Sequence, residues 1–477
     1  MAELDDVPNI DLGADTVALR KLVGVWRDRY EMNVRRSRYH DGEQGLKDFG
    51  ISIPPQVRQV RAALGWTAKG LNAFTNRSQF EAFTVSSGVD DPFGLSEVIE
   101  QNNFVTEFEA ARVSSAMHGC SFLTVTRGDV GEPAAVVLAR SAEDSAALWD
   151  RRTRRLSAFL SVVDSVDGRP VEFVMYTPEY VYEIVKRSGV WSHTRKAHMM
   201  GEVPAYPLVH GYELRRPLGH SRISRAAMYF VDAALRTIVR SEVSSEFYSA
   251  VEYWLFGADV TQFVGDNPWT ARMGTVKAMD IDNPEQKPEL HRFTGASPQP
   301  HIEQMRMWAN LFADEMDLDV KFADTSNPSS AEAIFAAKET QIVSVRSANR
   351  LWGRGATLAM RAAARILGAS DGDELLSLRA QFTDPAIVSP SARADAFSKL
   401  ASDIDGFGST QVGLEVAGLS RDQIQRYQAE KKRGEATSRI SQLVDAARGM
   451  RDGDSGADRG LSGGDGATDA VGSVGTA

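Results

Sequence analysis

The chain has 477 residues, and its 54 Lys and Arg against 64 Asp and Glu give a formal net charge of −10. At ~150 residues per domain, this length predicts about three domains or one large subunit with several lobes. The hydrophobic fraction of 43% is ordinary for a globular protein and is enough to build sizeable cores. The acidic balance excludes a simple basic nucleic-acid clamp. The single cysteine, Cys120, excludes an intramolecular disulfide framework and a cysteine-rich zinc module.

Neither a secretory leader nor a membrane anchor is predicted. The N-terminal residues Met1–Asp6 are acidic, whereas a signal peptide begins with positive charge and continues into an apolar core. No run of 18 apolar residues occurs, so no membrane-spanning helix is expected. We therefore expect a soluble protein, without a membrane partner, that acts in the cytoplasm or in an assembly built there.

Apolar residues recurring every three or four positions predict helices in the first part of the chain. These cover residues 14–47, about 56–76 and about 95–117. The pattern then changes to short alternating segments separated by turn residues, which predicts an antiparallel β-rich insertion over about 120–195. The helical period returns over 221–249. Residues 257–300 are rich in Gly, Pro and Asn, with short β-like pieces such as Lys277–Ile281.

The second half of the chain is predicted to be mainly helical. A helix ending near Met316 is followed by a polar loop over 317–330, and Ser330 is placed to cap a long helix over 331–367. Gly353 and Gly355 lie inside that helix and predict a bend.

A last helical block covers about 391–448. The tail 449–477 contains nine glycines and no aromatic residue. Because such a composition cannot offset the entropy of ordering, we expect this tail to be disordered.

Motifs that carry enzyme chemistry are scarce. The segment Gly65–Leu71 has Gly-x4-Gly spacing, but Leu71 stands where a phosphate-binding loop requires lysine. No Gly-x-Gly-x-x-Gly, Gly-x-Ser-x-Gly or His-Glu-x-x-His motif occurs. Cys120 precedes a predicted strand, and we interpret it as a packed core residue. We therefore predict no enzymatic activity, no cofactor and no metal site.

One acidic cluster at a predicted helix end resembles the ligand set of a two-metal nuclease. Its members are Asp314, Glu315, Asp317 and Asp319. The alternative interpretation is a solvated helix terminus. Because negative charge is unfavourable at a helix C-terminus, this cluster is expected to have a compensating partner, for example from a neighbouring subunit.

A basic stripe lies on the long helix. Residues 331–367 include six basic and two acidic residues, a local net charge of +4. Steps of four place five of them on one helical stripe: Arg346, Arg350, Arg354, Arg361 and Arg365. Such a stripe suits DNA phosphates or the acidic flank of a neighbouring copy, and the alternative is a solvated helix face. The opposite side carries many alanines, which would suit close packing in an oligomer.

Three short segments, in this order, carry a resemblance to a known family. The first is Tyr39-His40-Asp41-Gly42, which follows the first helix, and the second is the turn Pro217–Ile223. The third is Phe322–Ile334, which contains Asn327-Pro328 and leads into the long helix. Together they resemble the portal, or head-to-tail connector, proteins of tailed double-stranded DNA bacteriophages, particularly those infecting actinobacteria. The resemblance covers roughly residues 15–450.

The resemblance implies an α+β fold. The subunit would be portal-like and elongated, with a mainly helical wing, stem and crown and an antiparallel β-rich insertion. By order along the chain, the parts would be the wing (1–220), a stem helix (221–256), the clip (257–299), a second stem helix (300–316), the tunnel loop (317–330), the crown (331–448) and a disordered tail (449–477).

The same resemblance implies a structural role in the virion after assembly in the host cytoplasm. Portals of this family form a ring, usually of twelve copies, at one capsid vertex, through which double-stranded DNA passes without sequence-specific readout. Implied partners are the terminase large subunit, the major capsid protein, a head-tail adaptor and a scaffold protein. The tunnel-loop residues expected to face DNA are Lys321, Asp324, Ser326 and Asn327.

Two other functions remain open at this stage. One is a virion structural or head-completion protein that has no DNA channel. The other is an enzyme of DNA packaging or processing that uses the acidic cluster with magnesium. The absence of a phosphate-binding loop motif indicates that any packaging ATPase would be a separate protein.

Overall fold

The structure is a computed structural model of the chain. It describes residues 8–47, 62–248, 252–256, 276–279, 289–293, 297–318, 331–386 and 390–454. The chain divides into two compact units, Met1–Ala386 and Ile387–Ala477. Helices and mainly antiparallel strands alternate along the first unit, and helices make up the second, so the predicted α+β class is confirmed.

The helices of the first unit are α1 (Thr16–Asp41), α2 (Trp66–Thr75), α3 (Leu95–Gln101), α4 (Phe104–His118), α5 (Arg225–Tyr248), α6 (Gln299–Glu315), α7 (Ala331–Ile366) and α8 (Asp373–Ser377). None of the helices in the described part of the chain combines the length and apolar character that a membrane span requires.

The strands are β1 (Phe80–Thr84), β2 (Cys120–Arg127), β3 (Ala135–Ser141), β4 (Ser145–Asp150), β5 (Arg155–Val166), β6 (Arg169–Tyr176), β7 (Tyr180–Arg187), β8 (Val190–Ala197), β9 (Ala205–Val209), β10 (Glu252–Phe256), β11 (Val276–Met279), β12 (Glu289–Phe293) and β13 (Arg379–Phe382). The sheet orders are β3-β2-β9, β4-β5-β6-β7-β8, β11-β10-β12 and β1-β13. All pairs among β2 to β9 are antiparallel, which confirms the predicted β-rich insertion.

The predicted helix over 95–117 is in fact two helices. Asn103 adopts a left-handed conformation with φ of 48°, which separates α3 from α4. The side chain of Asn102 donates to the carbonyl oxygens of Val98 and Ala135, both at 2.9 Å, and accepts from the backbone N–H of Val137 at 2.8 Å. These hydrogen bonds of Asn102 therefore connect the C-terminal end of α3 to strand β3.

Helix α1 covers one face of the five-stranded sheet. Leu19, Leu22 and Trp26 are buried against side chains of β5 to β7, among them Phe173, whose ring meets Trp26 edge-on at 6.3 Å. The Trp26 indole N–H donates to the carbonyl oxygen of Glu143 at 2.9 Å. Burial alternates along β7, and β5 is buried on both faces: Leu160 packs in the α1 cluster and Phe159 in a second cluster on the opposite face.

Helix α7 lies at the centre of the largest core. Trp352 is fully buried, meets Phe74 edge-on at 6.0 Å and donates its indole N–H to Ser115 Oγ at 2.9 Å. The alanine-rich side of the helix, including Ala356 and Ala359, is also fully buried within the subunit. Our interpretation of these small residues as an oligomer contact is therefore wrong. They allow α4, β2 and β9 of the same chain to approach the helix.

The two glycines of α7 serve close packing. A Cβ on Gly355 would lie 2.5 Å from the carbonyl oxygen of Pro207 in β9, and one on Gly353 would lie 3.1 Å from the Phe382 ring. The helix continues without interruption through both glycines. Close packing explains these two glycines and the predicted bend does not, because each glycine leaves room for a neighbouring strand.

Helices α5 and α6 pack side by side and run antiparallel. The Trp308 ring stacks on Phe230 with ring centroids 6.4 Å apart. The hydroxyl of Ser224, just before α5, donates to Glu315 Oε1 at the end of α6 at 2.6 Å. The start of α5 therefore lies beside the end of α6. Strand β10 follows α5, β12 precedes α6, and the two strands pair antiparallel. The predicted short β-like piece near 277–281 is observed as β11.

The second unit contains α9 (Pro390–Asp403), α10 (Gln411–Val416) and α11 (Arg421–Asp454). The single helical block predicted over 391–448 is thus three helices, and Thr410 caps α10 by accepting the N–H of Gly413 at 3.0 Å. Residues 449–454, assigned to the disordered tail by prediction, continue α11. The remainder of that tail lies outside the described residues.

We predict that Gly355→Ala lowers the free energy of unfolding by about 1–3 kcal/mol, because the new methyl group would overlap the Pro207 carbonyl oxygen. Gly24→Ala in α1 is the matched control, since a Cβ there meets nothing within 4 Å. It should stabilise the protein by ~0.5–1 kcal/mol through helix propensity. Urea unfolding measures both. Equal effects of the two substitutions would contradict the packing role of Gly355.

Candidate functional site

The Tyr39-to-Gly42 segment joins the end of α1 to α5. Tyr39 is buried, and its hydroxyl donates to Asp232 Oδ1 at 2.6 Å. Lys47 Nζ donates to Asp232 Oδ2 at 2.5 Å and to the Tyr39 hydroxyl at 2.9 Å. Burial, and then the bond to Asp232, raise the pKa of Tyr39. Gly42 ends the helix with φ of 74°, a conformation that favours glycine.

The turn 217–223 links the start of α5 to the α4–β2 junction. Gly219 has φ of 74°, and a Cβ there would lie 2.0 Å from the His210 carbonyl oxygen, so only glycine fits. Ser221 Oγ donates to the carbonyl oxygen of Met117, and Ile223 is buried in the main core. The second sequence motif therefore positions the first turn of α5.

Arg222 lies in the same turn and forms a buried cation site. Its guanidinium stacks over the Phe74 ring of α2 at 4.1 Å from the centroid. Nη2 donates to the Met316 carbonyl oxygen at 2.5 Å and lies 3.3 Å from Asp317 Oδ2. Burial lowers the pKa of Arg222 and Asp317 opposes this shift. An arginine stays charged in proteins. Arg222 thus holds the end of α6 against α2.

The acidic cluster finds its partners inside the subunit. Asp317 pairs with Arg222, and Glu315 accepts from Ser224. The expected compensating partner is present, and it lies 95 residues earlier in the same chain and not in a neighbouring subunit. In the described portion of the chain, no group of three or more His, Cys, Asp or Glu residues is arranged to hold a metal ion. Asp319 lies outside the described residues.

The four tunnel-loop candidates, Lys321, Asp324, Ser326 and Asn327, also lie outside the described residues. Their assignment stays a prediction. The structure describes what borders them: Leu318 follows the Arg222 contact, and α7 begins at Ala331.

The arginine stripe on α7 divides into two groups. Arg346 forms a bidentate pair with Asp384, with Nη2 at 2.9 Å from both carboxylate oxygens. Arg361 donates to the backbone carbonyl oxygens of Leu376 and Leu378. These two arginines hold the segment that returns after α7 to form β13.

Arg365 belongs to the same group, because its Nε donates to Asp371 Oδ1 at 2.8 Å and its Nη1 to Glu202 Oε1 at 3.3 Å. Arg350 and Arg354 are different. Both are exposed, and neither has a hydrogen bond or ion pair with any residue that the structure describes. Arg346 is also exposed, so these two differ from it in having no described partner and not in exposure.

Two further reactive side chains are buried. Cys120 packs in a core cluster, and burial raises the pKa of its thiol to about 12, which confirms the packing interpretation. The His210 ring packs against both Phe74 and Trp352, with ring centroids 5.6 and 6.4 Å apart. Burial lowers the pKa of His210 to about 4, so it is neutral near pH 7. Neither group is placed for catalysis at the surface.

Comparison with known proteins identifies the class. Residues 24–436 match the family model described as "Phage portal protein, SPP1 Gp6-like". The chain belongs to this family. It is accordingly a structural protein of the phage particle, and family membership assigns it no catalytic function.

Individual relatives agree with the family. The chain is 23% identical over 437 residues to the portal protein of Mycobacterium phage D29, with 88% of this chain and 90% of that protein covered. It is also 23% identical over 417 residues to the portal protein of Mycobacterium phage L5, with 84% and 85% covered. These relatives confirm the predicted likeness to portals of phages that infect actinobacteria.

A solved structure entitled "Neck of empty GTA particle computed with C6 symmetry" contains a similar chain. The identity is 12% and the TM-score 0.44, with 81% of this chain and 93% of that chain covered.

We predict that Arg222→Met lowers the free energy of unfolding by about 2–4 kcal/mol, because it removes a buried cation that pairs with Asp317 and satisfies the Met316 carbonyl. Arg225→Met, three residues on, is the control, since Arg225 is exposed and its loss should cost under ~0.5 kcal/mol. Chemical denaturation monitored by tryptophan fluorescence measures both. A loss at Arg222 no larger than at Arg225 would show that this contact does not hold α6.

Proposed function

We propose that this protein forms a ring, of about twelve copies as in the family implied by the sequence motifs, at one vertex of a phage capsid. Double-stranded DNA would enter and leave through its axial channel, and the ring would dock the terminase large subunit first and a head-tail adaptor later. The observation that carries the proposal is the portal family match over residues 24–436.

The anchoring of the predicted tunnel loop supports this function. Before the loop, Arg222 holds Met316 and Asp317 to the core. After it, α7 is buried in that same core from Gln341 onward. Functional loops are commonly carried by a rigid scaffold that positions them. A segment beside moving DNA needs such fixed attachment at both ends.

Charge also favours a channel through which DNA slides. Duplex DNA carries one charge per ~1.7 Å of axis, so a strongly basic channel would retain it. The chain is acidic overall, with a net charge of −10. In the loop, Lys321 is the one basic residue against Asp319 and Asp324, while Asp317 already pairs with Arg222. Alternating weak charges would contact the DNA phosphates without binding them tightly. Such contacts would not distinguish one DNA sequence from another.

The predicted parts can be placed on the observed elements as a proposal. The wing would comprise α1 to α4 with β1 to β9, and it would contact the major capsid protein. The paired helices α5 and α6 would form the stem. The sheet of β10, β11 and β12 would belong to the clip, the part proposed to meet the motor and adaptor. Because α7 packs among α4, β2 and β9, we limit the crown to the second unit.

The other two functions gain no specific support. A magnesium-dependent nuclease would need free carboxylates, but Asp317 is paired with Arg222 and Glu315 is bonded to Ser224. A virion component without a channel would share the family's place in the particle. The two are distinguished by an axial hole wide enough for a DNA duplex, which only the portal ring would have.

Immunogold labelling of intact particles tests the proposed location. We expect label at a single vertex, the one that carries the tail, because a portal ring occurs once per capsid. An antibody against the major capsid protein is the control and should label the whole shell. Label of this protein spread over the shell, or at every vertex, would contradict the proposed function.

We predict that Arg350→Glu leaves the unfolding free energy within ~0.5 kcal/mol of wild type, because Arg350 is exposed. It should nevertheless reduce the number of DNA-filled particles severalfold, since the stripe would lose a cation facing DNA or a neighbouring subunit. The control is Arg20→Glu, another exposed helical arginine, on α1. The number of DNA-filled particles is measured by counting nuclease-resistant genomes. An unchanged count would show that Arg350 lies on a solvated helix face and has no role in packaging.

A further inference from the structure

An unfilled apolar cavity of about 100 Å³ lies between the β4–β5 turn, β9 and α7. A cavity of ~150 Å³ with such a lining holds a benzene ring, so this one suits one aliphatic side chain. Gly355 and Pro207 are among its lining residues. Its other lining residues include Trp149, Leu156, Tyr206, Val209, Leu351 and Leu358.

The mouth of the cavity is basic. The β4–β5 turn with its two flanking strand residues, 150–155, carries four arginines and a single acidic residue, Asp150, and residues 151–155 are all exposed. Arg354 of α7, also exposed, lines the same cavity. The acidic group at the cavity, Glu202, is already bound by Arg155 at 2.6 Å and by Arg365 at 3.3 Å. An occupant should therefore combine an apolar side chain with negative charge.

The opposite end of β5 presents those properties. Residues 163–169 at the β5–β6 turn are all exposed, with Val163 at 42% and Val166 at 55%. Asp164 and Asp167 lie on either side of Val166, and with Arg169 the tip has a net charge of −1. Strand β4 pairs with β5 only up to Ser161, so the tip extends beyond β4, while on its other side β7 continues to Arg187 beside it.

The two ends of β5 cannot meet within one subunit. The strand has 12 residues, which span about 36 Å at ~3.3 Å per residue. Complementary surfaces at separate places on one subunit produce head-to-tail association, and that association closes into a ring when the rotation allows it.

We propose that the acidic β5–β6 tip of one subunit docks in the arginine-rimmed cavity of the next copy, with Val166 entering the cavity. This contact deepens the proposed function, because it rests on the ring and supplies one of its subunit interfaces. Asp164 and Asp167 would face the arginines of the β4–β5 turn, which gives the contact its direction.

A second copy fits these observations better than nucleic acid does. Phosphates would satisfy the arginines, but they would leave the apolar cavity empty and the tip unused. The chain itself carries an exposed valine between two aspartates, at the far end of the strand that leads to the cavity. The arginines and the apolar cavity thus both favour a second copy of the chain as the occupant.

Disulfide trapping between copies tests the contact. Val166→Cys and Tyr212→Cys, the latter at the exposed edge of the cavity lining, are made in separate chains, mixed and oxidised. Native Cys120 is buried and should not interfere. We expect a covalent dimer from the mixture and none from either variant alone.

Val130→Cys is the matched control. It replaces a fully exposed valine in another β-hairpin turn flanked by acidic residues, Asp129 and Glu132, and it should not cross-link to Tyr212→Cys. Because oxidation also traps transient encounters, the test works whether or not stable rings form. Absence of the Val166–Tyr212 dimer, or equal dimer from Val130→Cys, would overturn the docking.

Charge reversal provides a second test. Asp164→Arg with Asp167→Arg on the tip, or Arg151→Asp with Arg154→Asp on the turn, should raise the protein concentration for half-assembly at least tenfold. A chain carrying all four changes should recover most of the loss, as expected for residues that interact directly. Wild-type assembly by either variant would overturn the proposal. Normal assembly with lost DNA retention in the arginine variant would assign the turn to nucleic acid instead.

These outcomes separate the docking from the proposed function. Wild-type rings that give no cross-link would refute the docking alone. A specific cross-link in a particle without a channel would support the docking and refute the portal function.

Discussion

The buried guanidinium of Arg222 is the contact on which the arrangement of the first unit depends. A charge removed from water must be paired and hydrogen-bonded, so its partners cannot move away without a large cost. Arg222 meets this requirement with the Phe74 ring, the Met316 carbonyl and the Asp317 carboxylate. The start of α5, the end of α6 and helix α2 are thereby held at one point. Leu318, the last described residue before the predicted tunnel loop, directly follows this contact.

Helix α7 performs two tasks on two faces. Its small residues and Trp352 form the centre of the core, where Gly355 lets β9 approach the helix backbone. Its other face carries arginines, of which Arg346 and Arg361 hold the β13 segment and so have a structural role. Arg350 and Arg354 are exposed and have no hydrogen bond or ion pair with a described residue. Residues that look equivalent in a four-residue repeat therefore differ in function, because their neighbours differ.

Local patterns in the sequence predicted local structure well. The strands of the insertion were predicted because alternation and turn pairs such as Asp167-Gly168 and Ser188-Gly189 are short-range signals. The break at Asn103 was missed, since its left-handed backbone is not visible in periodicity. Long-range contacts were also missed: Arg222 is 95 residues from Asp317, and Tyr39 is 193 residues from Asp232. The portal family was identified from motif order, whereas the tunnel-loop residues Lys321 to Asn327 remain predictions.

Electron microscopy of the purified protein, with a native mass measured on the same sample, tests the central claim most directly. A portal subunit should assemble into a closed ring with an axial hole wide enough for a DNA duplex, and the mass should equal a whole number of 52.2 kDa chains near twelve. A closed, compact particle without an axial hole would contradict the portal function and favour a virion component that has no DNA channel.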